Sequence, residues 1–188
     1  LQSQRVKDYH NRMNLSVVIL AAGRGKRMNS KVPKVLHEAL GKPMVQHVID
    51  AVRTLKPAKT IVVIGNGAEE VRERLDDSRL TFVLQKNLLG TGDALSMAKK
   101  EVKKGTVLVL NGDGPLITVK TLKGLLARHR RTKNVLSFLS FIDESMSGYG
   151  RIIRDDSGRV AAIVEDKHAT PVEKERFKEL NGGVYVME

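Results

Sequence analysis

VVILAAGRGKRMNSKVPKVLH, residues 17–37, decides how this chain is read. Val17-Val18-Ile19 is the apolar run of a short buried strand, and it opens directly into a glycine-rich loop. Five cationic side chains follow at short spacing: Arg24, Lys26, Arg27, Lys31 and Lys34. A packed core has no use for that combination. Glycines let backbone N–H groups approach an anion closely, and the cations neutralise the charge of a polyphosphate. Gly23 and Gly25 alone would describe any strand-ending turn. Arg27 and the Pro33-Lys34 pair are what favour a phosphate-binding loop.

Outward from this loop, strand-like runs alternate with amphipathic stretches. The pattern predicts strands over residues 16–21, 60–64, 80–84 and 106–110, and helices over 43–54, 68–75, 91–100 and 119–129. Pro43 is expected in the first turn of its helix, where a missing N–H costs nothing. Such βαβα alternation implies an α/β fold with a mainly parallel, Rossmann-like sheet covered on both faces. From residue 135 the rhythm changes. Segments 135–142, 150–154 and 159–164 read as strands, the last two joined by the hairpin turn Asp155-Asp156-Ser157-Gly158. A short helix over 172–180 and a strand from Gly183 to Met187 complete the pattern. Residues 1–14 are polar and aperiodic, an extension expected outside the core fold, with one domain over 15–188. The closing strand suggests a domain incomplete at its C-terminus.

Composition narrows the function classes. Lys and Arg total 33 against 21 Asp and Glu, a net charge of +12. The basic residues are scattered and aromatics make up only 4% of the chain, which leaves little material for a base-stacking platform. The densest basic patch, Arg128-His129-Arg130-Arg131 with Lys133, falls where a helix should end and suits the helix dipole. The excess charge therefore points to anionic small molecules rather than nucleic acid. No apolar run approaches the length of a membrane span, and no secretion signal is visible. The absence of cysteine excludes disulfides and thiolate metal sites and agrees with a cytoplasmic setting. The five histidines show no metal-ligand spacing and are read as structural or exposed.

In open α/β sheets ligands bind beyond the carboxyl ends of the strands, and three further segments fall at or near such ends. Gln85 precedes Leu89-Gly90-Thr91-Gly92. Its amide offers a donor and an acceptor to a base edge, although the motif taken alone reads first as a helix N-terminus capped by Thr91. Asn111-Gly112-Asp113-Gly114-Pro115 follows the apolar run Val107–Leu110. A carboxylate there can hold Mg²⁺ against substrate phosphates, or simply close its own turn. Gly148-Tyr149-Gly150-Arg151, with Glu165, Lys167 and Asn181, supplies either polar groups for a sugar or an ordinary surface ribbon.

With LGTGDA (89–94), NGDGPLI (111–117), GYGRIIRDDSGRVAAIVEDKHAT (148–170) and ELNGGVY (179–185) added to the opening motif, the chain resembles a known family over about residues 15–187. This family is the bacterial N-acetylglucosamine-1-phosphate uridyltransferases, the pyrophosphorylase half of a bifunctional enzyme whose other half is an acetyltransferase. The resemblance implies a nucleotide-diphospho-sugar transferase fold and a Mg²⁺-dependent transfer from UTP to N-acetylglucosamine 1-phosphate. The product, UDP-N-acetylglucosamine, is a cell-wall precursor. By the same resemblance, Arg27 and Lys34 meet the phosphates as catalytic cations. Leu20, Ala21, Ala22 and Gly23 contact the nucleotide, Gln85, Gly90 and Thr91 hold the uracil, and Asn111, Gly112 and Asp113 lie by the ribose and phosphates. Asp113 binds the metal, and Gly150, Glu165 and Asn181 contact the sugar. A second metal ligand, an Asn, and a trimer-forming acetyltransferase domain are implied beyond residue 188. The chain departs from the family's usual residues at Asp93 (His), Asn111 (Tyr), His168 (Asp) and Gly182 (Thr). Another sugar phosphate, CTP in place of UTP, or a domain that binds nucleotide without turnover remain open readings of the residues.

Overall fold

Apolar residues along β1 (Ser16–Ala21) point alternately to opposite faces of the sheet and so found two cores. The computed structural model describes residues 14–25, 28–102 and 104–188. After β1 come a two-residue ribbon, β2 (Glu38–Ala39) and β3 (Lys42–Pro43), and helix α1 (Met44–Arg53). Next are β4 (Lys59–Ile64), α2 (Ala68–Leu75), β5 (Leu80–Leu84), α3 (Thr91–Met97), β6 (Val107–Asn111) and α4 (Val119–Thr132). The last part holds β7 (Leu136–Ile142), β8 (Arg151–Arg154), β9 (Val160–Val164), α5 (Pro171–Arg176) and β10 (Glu179–Met187).

Val17, Ile19, Val62, Ile64, Leu108 and Leu110 pack with α1, α2 and α4 on one face. Val18, Ile61, Val63, Val107 and Val109 pack with Ala94 and Ala98 on the other. Each fully buried Val, Leu or Ile contributes about 1.5–3 kcal/mol, so the central strands carry much of the stability. β5, β4, β1 and β6 lie side by side and parallel, with Ala21 beside Ile64, Ile64 beside Leu84, and Leu20 beside Asn111. Their carboxyl ends therefore form one rim.

Beyond β6 the sheet turns antiparallel. β10 pairs with β6 through Tyr185 and Val109, with β7 along its other edge, and with β8 through Leu180 and Arg151. Between Asn181 and Tyr185 the β7–β10 register shifts, at Gly182 and Gly183. β8 and β9 form the expected hairpin: Asp155 Oδ1 accepts from the Ser157 and Arg159 N–H groups, and Gly158 takes φ +80°. Among the described residues no helix is long and apolar enough to cross a membrane.

Several boundaries differ from expectation. Pro43 ends β3 at ψ 138° and α1 begins only at Met44, because Pro43 is paired with Glu38 across the small ribbon. The stretch 91–100 is α-helical only to Met97 and tightens to a 3₁₀ turn over Ala98–Lys100. The helix expected over 172–180 covers Pro171–Arg176, opened by the Thr170–Glu173 capping box. Residues 179 and 180 are strand instead, since Glu179 and Leu180 pair with Ile142 and Phe141 and Leu180 is fully buried. Tertiary pairing overrides helical propensity there.

Candidate functional site

The glycine loop follows β1 directly and folds down onto Lys34. Gly25 takes φ +57°, and a Cβ on it would lie 2.6 Å from Lys34 Cβ. Lys34 is in turn fixed by its neighbours. Pro33, Val35 and Leu36 are buried, and Pro33 packs against Gly67, where a Cβ would come within 2.3 Å of the proline ring. So anchored, the Lys34 ammonium forms an ion pair with Asp113. Asp113 stands just past the end of β6, beyond buried Gly112, whose N–H donates to Leu20 O at 2.8 Å. The carboxylate thus faces a cation from the phosphate-type loop region rather than closing its own turn.

Gln85 forms the opposite wall. It follows β5, its N–H donates to Ile64 O at 2.8 Å, and only 4% of its surface is exposed. Its side-chain Nε2 donates to Gly90 O at 3.2 Å and to Asp93 Oδ2 at 2.7 Å. Gly90, at φ 122°, is the residue preceding α3, and no side-chain cap is made there; the capping role considered for Thr91 is not the one it plays.

Between these walls lies a cavity of about 700 Å³. Of the residues expected at the nucleotide, Leu20, Ala22, Gly23 and Lys34 line it from one side, Gln85, Gly90 and Thr91 from another, and Asn111 and Asp113 from β6. Ala21 does not: its side chain sits in the core shared with α1, on the face away from Ala22. Gly112 lies behind the wall, against Leu20 O and Val35. Arg27 falls outside the described residues.

Gly150, Glu165 and Asn181 come together outside the cavity lining. Asn181 N–H donates to Gly150 O at 2.8 Å, and Glu165 lies one step beyond the Arg151–Val164 pair of the hairpin. The Asn181 side chain is held by Tyr185 and by the Gly183 N–H. Gly183 in turn abuts Asn111, whose Nδ2 would lie 2.4 Å from a Cβ placed there. This short chain of contacts joins the ribbon to the cavity wall. At the end of the GYGR segment, buried Arg151 reaches Asp166, as does the more exposed Lys174. Burial would raise the Asp166 pKa, but hydrogen bonding and charge from Lys174, with the Gly148 N–H and Arg151, bring it below its ordinary value.

The sequence pattern of the family described as "MobA-like NTP transferase domain" matches residues 17–148. The chain belongs to that family. It is 49% identical over 174 residues to the bifunctional protein GlmU of Alkaliphilus metalliredigens, covering 92% of this chain and 38% of that one. It is 51% identical over 172 residues to the GlmU of Pseudomonas aeruginosa strain PAO1, covering 92% and 37%. The chain thus spans little more than a third of these relatives, and the resemblance read from its motifs is borne out. The crystal structure of HddC from Yersinia pseudotuberculosis shares the fold, with a TM-score of 0.69 at 22% identity over 92% of this chain and 76% of that one. The reaction class of such an NTP transferase domain is nucleotidyl transfer.

This NTP transferase domain also places at its cavity residues that sequence reasoning did not assign there. Arg24 and Gly25 belong to the loop already singled out, and Arg24 makes no ion pair among the described residues. Val35 was legible as an apolar neighbour of Lys34. Met28, Leu88 and Ala94 carried no signal, because apolar residues that floor a cavity look like core residues in a sequence. Two of the described histidines have structural partners: His47 Nε2 meets Ala39 O at 2.7 Å, and buried His129 meets Ser137 at 2.8 Å. No cluster of three or more His, Cys, Asp or Glu suited to a metal occurs among the described residues.

Proposed function

We propose that this domain transfers the uridylyl group of UTP to N-acetylglucosamine 1-phosphate, forming UDP-N-acetylglucosamine and pyrophosphate. One observation carries the reading: the glycine loop with Arg24, the Lys34 side chain, a buried amide and a strand-tip carboxylate, far apart in sequence, converge on one cavity at the carboxyl ends of parallel strands. The similarity of about half the residues to GlmU proteins supports the choice of substrates.

A sugar-phosphate oxygen attacks the α-phosphorus of UTP, and the bond from that phosphorus to the bridging oxygen breaks, so pyrophosphate leaves with the electron pair. The attacking group is already anionic, so no side-chain nucleophile or base is required. What the chain supplies is position and charge. Lys34, held by Pro33 and Gly25, turns its ammonium from Asp113 to the phosphate oxygens. Arg24 and Arg27 add cations from the loop, and Gln85 with Gly90 and Thr91 holds the base. Gly150, Glu165 and Asn181 present polar groups to the sugar. Asp113 fits Mg²⁺, which takes one or two carboxylates and completes its shell with phosphate oxygens and water rather than needing a protein cage. Bound there, the ion would neutralise charge on the phosphates of the reacting nucleotide.

Pyrophosphate release by this chain, with UTP, CTP or dTTP and the sugar phosphate in Mg²⁺ buffer, tests the reading. UTP with N-acetylglucosamine 1-phosphate should be the productive pair, and Lys34→Ala or Arg27→Ala should cut turnover on the order of a hundredfold with the fold intact. Turnover with another nucleotide in preference to UTP would overturn the substrate assignment. UTP binding without transfer would leave a nucleotide-binding domain in place of an enzyme.

A further inference from the structure

Asp93, in the first turn of α3, meets the side chain of Gln85 across the loop that joins β5 to α3. The Gln85 side chain is buried and lines the cavity, and its amide faces two acceptors, the Gly90 carbonyl at 3.2 Å and the Asp93 carboxylate at 2.7 Å. A carboxylate has no proton to give. Turning the amide over would set its oxygen against both, one of them charged, in a site where unmade hydrogen bonds are expensive. The nitrogen must therefore point at Asp93 and Gly90. Both of its N–H groups are consumed, and Oε1 accepts no hydrogen bond among the described residues.

We propose that Asp93 is a positioning residue that locks the Gln85 amide with its oxygen presented to the nucleobase, and thereby selects bases carrying a ring N–H. This rests on the nucleotide site proposed above. Uracil and thymine carry a hydrogen on N3, which Oε1 accepts. Cytosine carries a lone pair at N3, which Oε1 repels. The selectivity then comes less from Gln85 itself, whose amide could serve either base if free to turn, than from the carboxylate behind it. A site whose polar group is left facing the wrong partner discriminates far more strongly than one that merely loses a packing contact.

Calorimetric titration of the chain with UTP and with CTP, in Mg²⁺ buffer and without sugar phosphate, measures this independently of turnover. The unaltered chain should bind UTP more tightly. Asp93→Asn keeps the shape but can donate as well as accept, so the amide can turn. The UTP-to-CTP affinity ratio should fall at least about tenfold, partly through tighter CTP binding. Asp93→Leu, which removes the partner altogether, should also lower the ratio. Thermal unfolding of both variants checks that the fold survives. If both variants weaken the two nucleotides equally, or leave the ratio unchanged, Asp93 only shapes α3 and the proposal fails while the nucleotide site stands. If the unaltered chain binds neither nucleotide, or prefers CTP, the site reading and the proposal fall together.

Discussion

Two glycines two residues apart do different work in the loop after β1. At Gly23 a Cβ would meet nothing within 4 Å, whereas at Gly25 the backbone is left-handed and a methyl would strike Lys34. Gly25→Ala should therefore cost about 1–2 kcal/mol from the backbone conformation alone, lowering the melting temperature by roughly 2–8 °C in a chain of this length. Gly23→Ala should leave stability within about 0.5 kcal/mol. Thermal unfolding of the two variants compares them directly, and equal stability would mean that the loop does not rest on Lys34. The sequence made the loop and its cations plain, because glycine and clustered charge have few other uses after a buried strand. It could not show that Lys34 is braced by Pro33 and Gly67, since that contact joins residues brought together only by the fold. Nor could it separate the two readings of Asp113, whose partner lies far away in the chain.

At the scale of elements, periodicity was enough in the parallel part of the sheet. β1, β5 and α2 have the expected limits, and β4 and β6 shift by one residue, because runs such as Val17–Leu20 have no exposed alternative. Periodicity failed at Glu179 and Leu180, where pairing with β7 rather than local preference sets the conformation. Elements are also tied by charge. Arg53 in the last turn of α1 reaches Asp77, in the turn between α2 and β5, and Arg79 Nε donates to the same carboxylate at 2.9 Å. The Arg79 hydrogen bond, with its N–H and Arg53, holds the Asp77 pKa down from 3.8 to about 2, against the effect of burial. A depressed carboxylate pKa contributes stability that is complete above the unfolded value and is lost as pH falls through the folded one. Asp77→Asn should therefore destabilise the protein at neutral pH, and the difference should shrink between about pH 4 and pH 2. Denaturant unfolding across that range reads it, and a pH-independent difference would show that the carboxylate contributes shape and not charge.

Across the whole molecule, the cavity lies where the two cores meet: Ala22 and Ala94 belong to one, Val35 to the other, and all three line it. A ligand seated there braces the rim of β1, β5 and β6 together, so binding should be felt as global stability rather than as local order. UTP with Mg²⁺ at a hundredfold excess over its dissociation constant should add about 2.7 kcal/mol, raising the melting temperature by roughly 5–11 °C. The net charge of +12 and the loop cations make phosphate the dominant handle. Uridine at the same concentration should therefore give a much smaller shift. Raising the salt concentration should erode the UTP shift more than the uridine shift, because screening weakens charge contacts and leaves base contacts largely intact. Equal shifts for UTP and uridine would move the binding energy from the glycine loop to the Gln85 wall. No shift with UTP would remove the nucleotide from the cavity altogether.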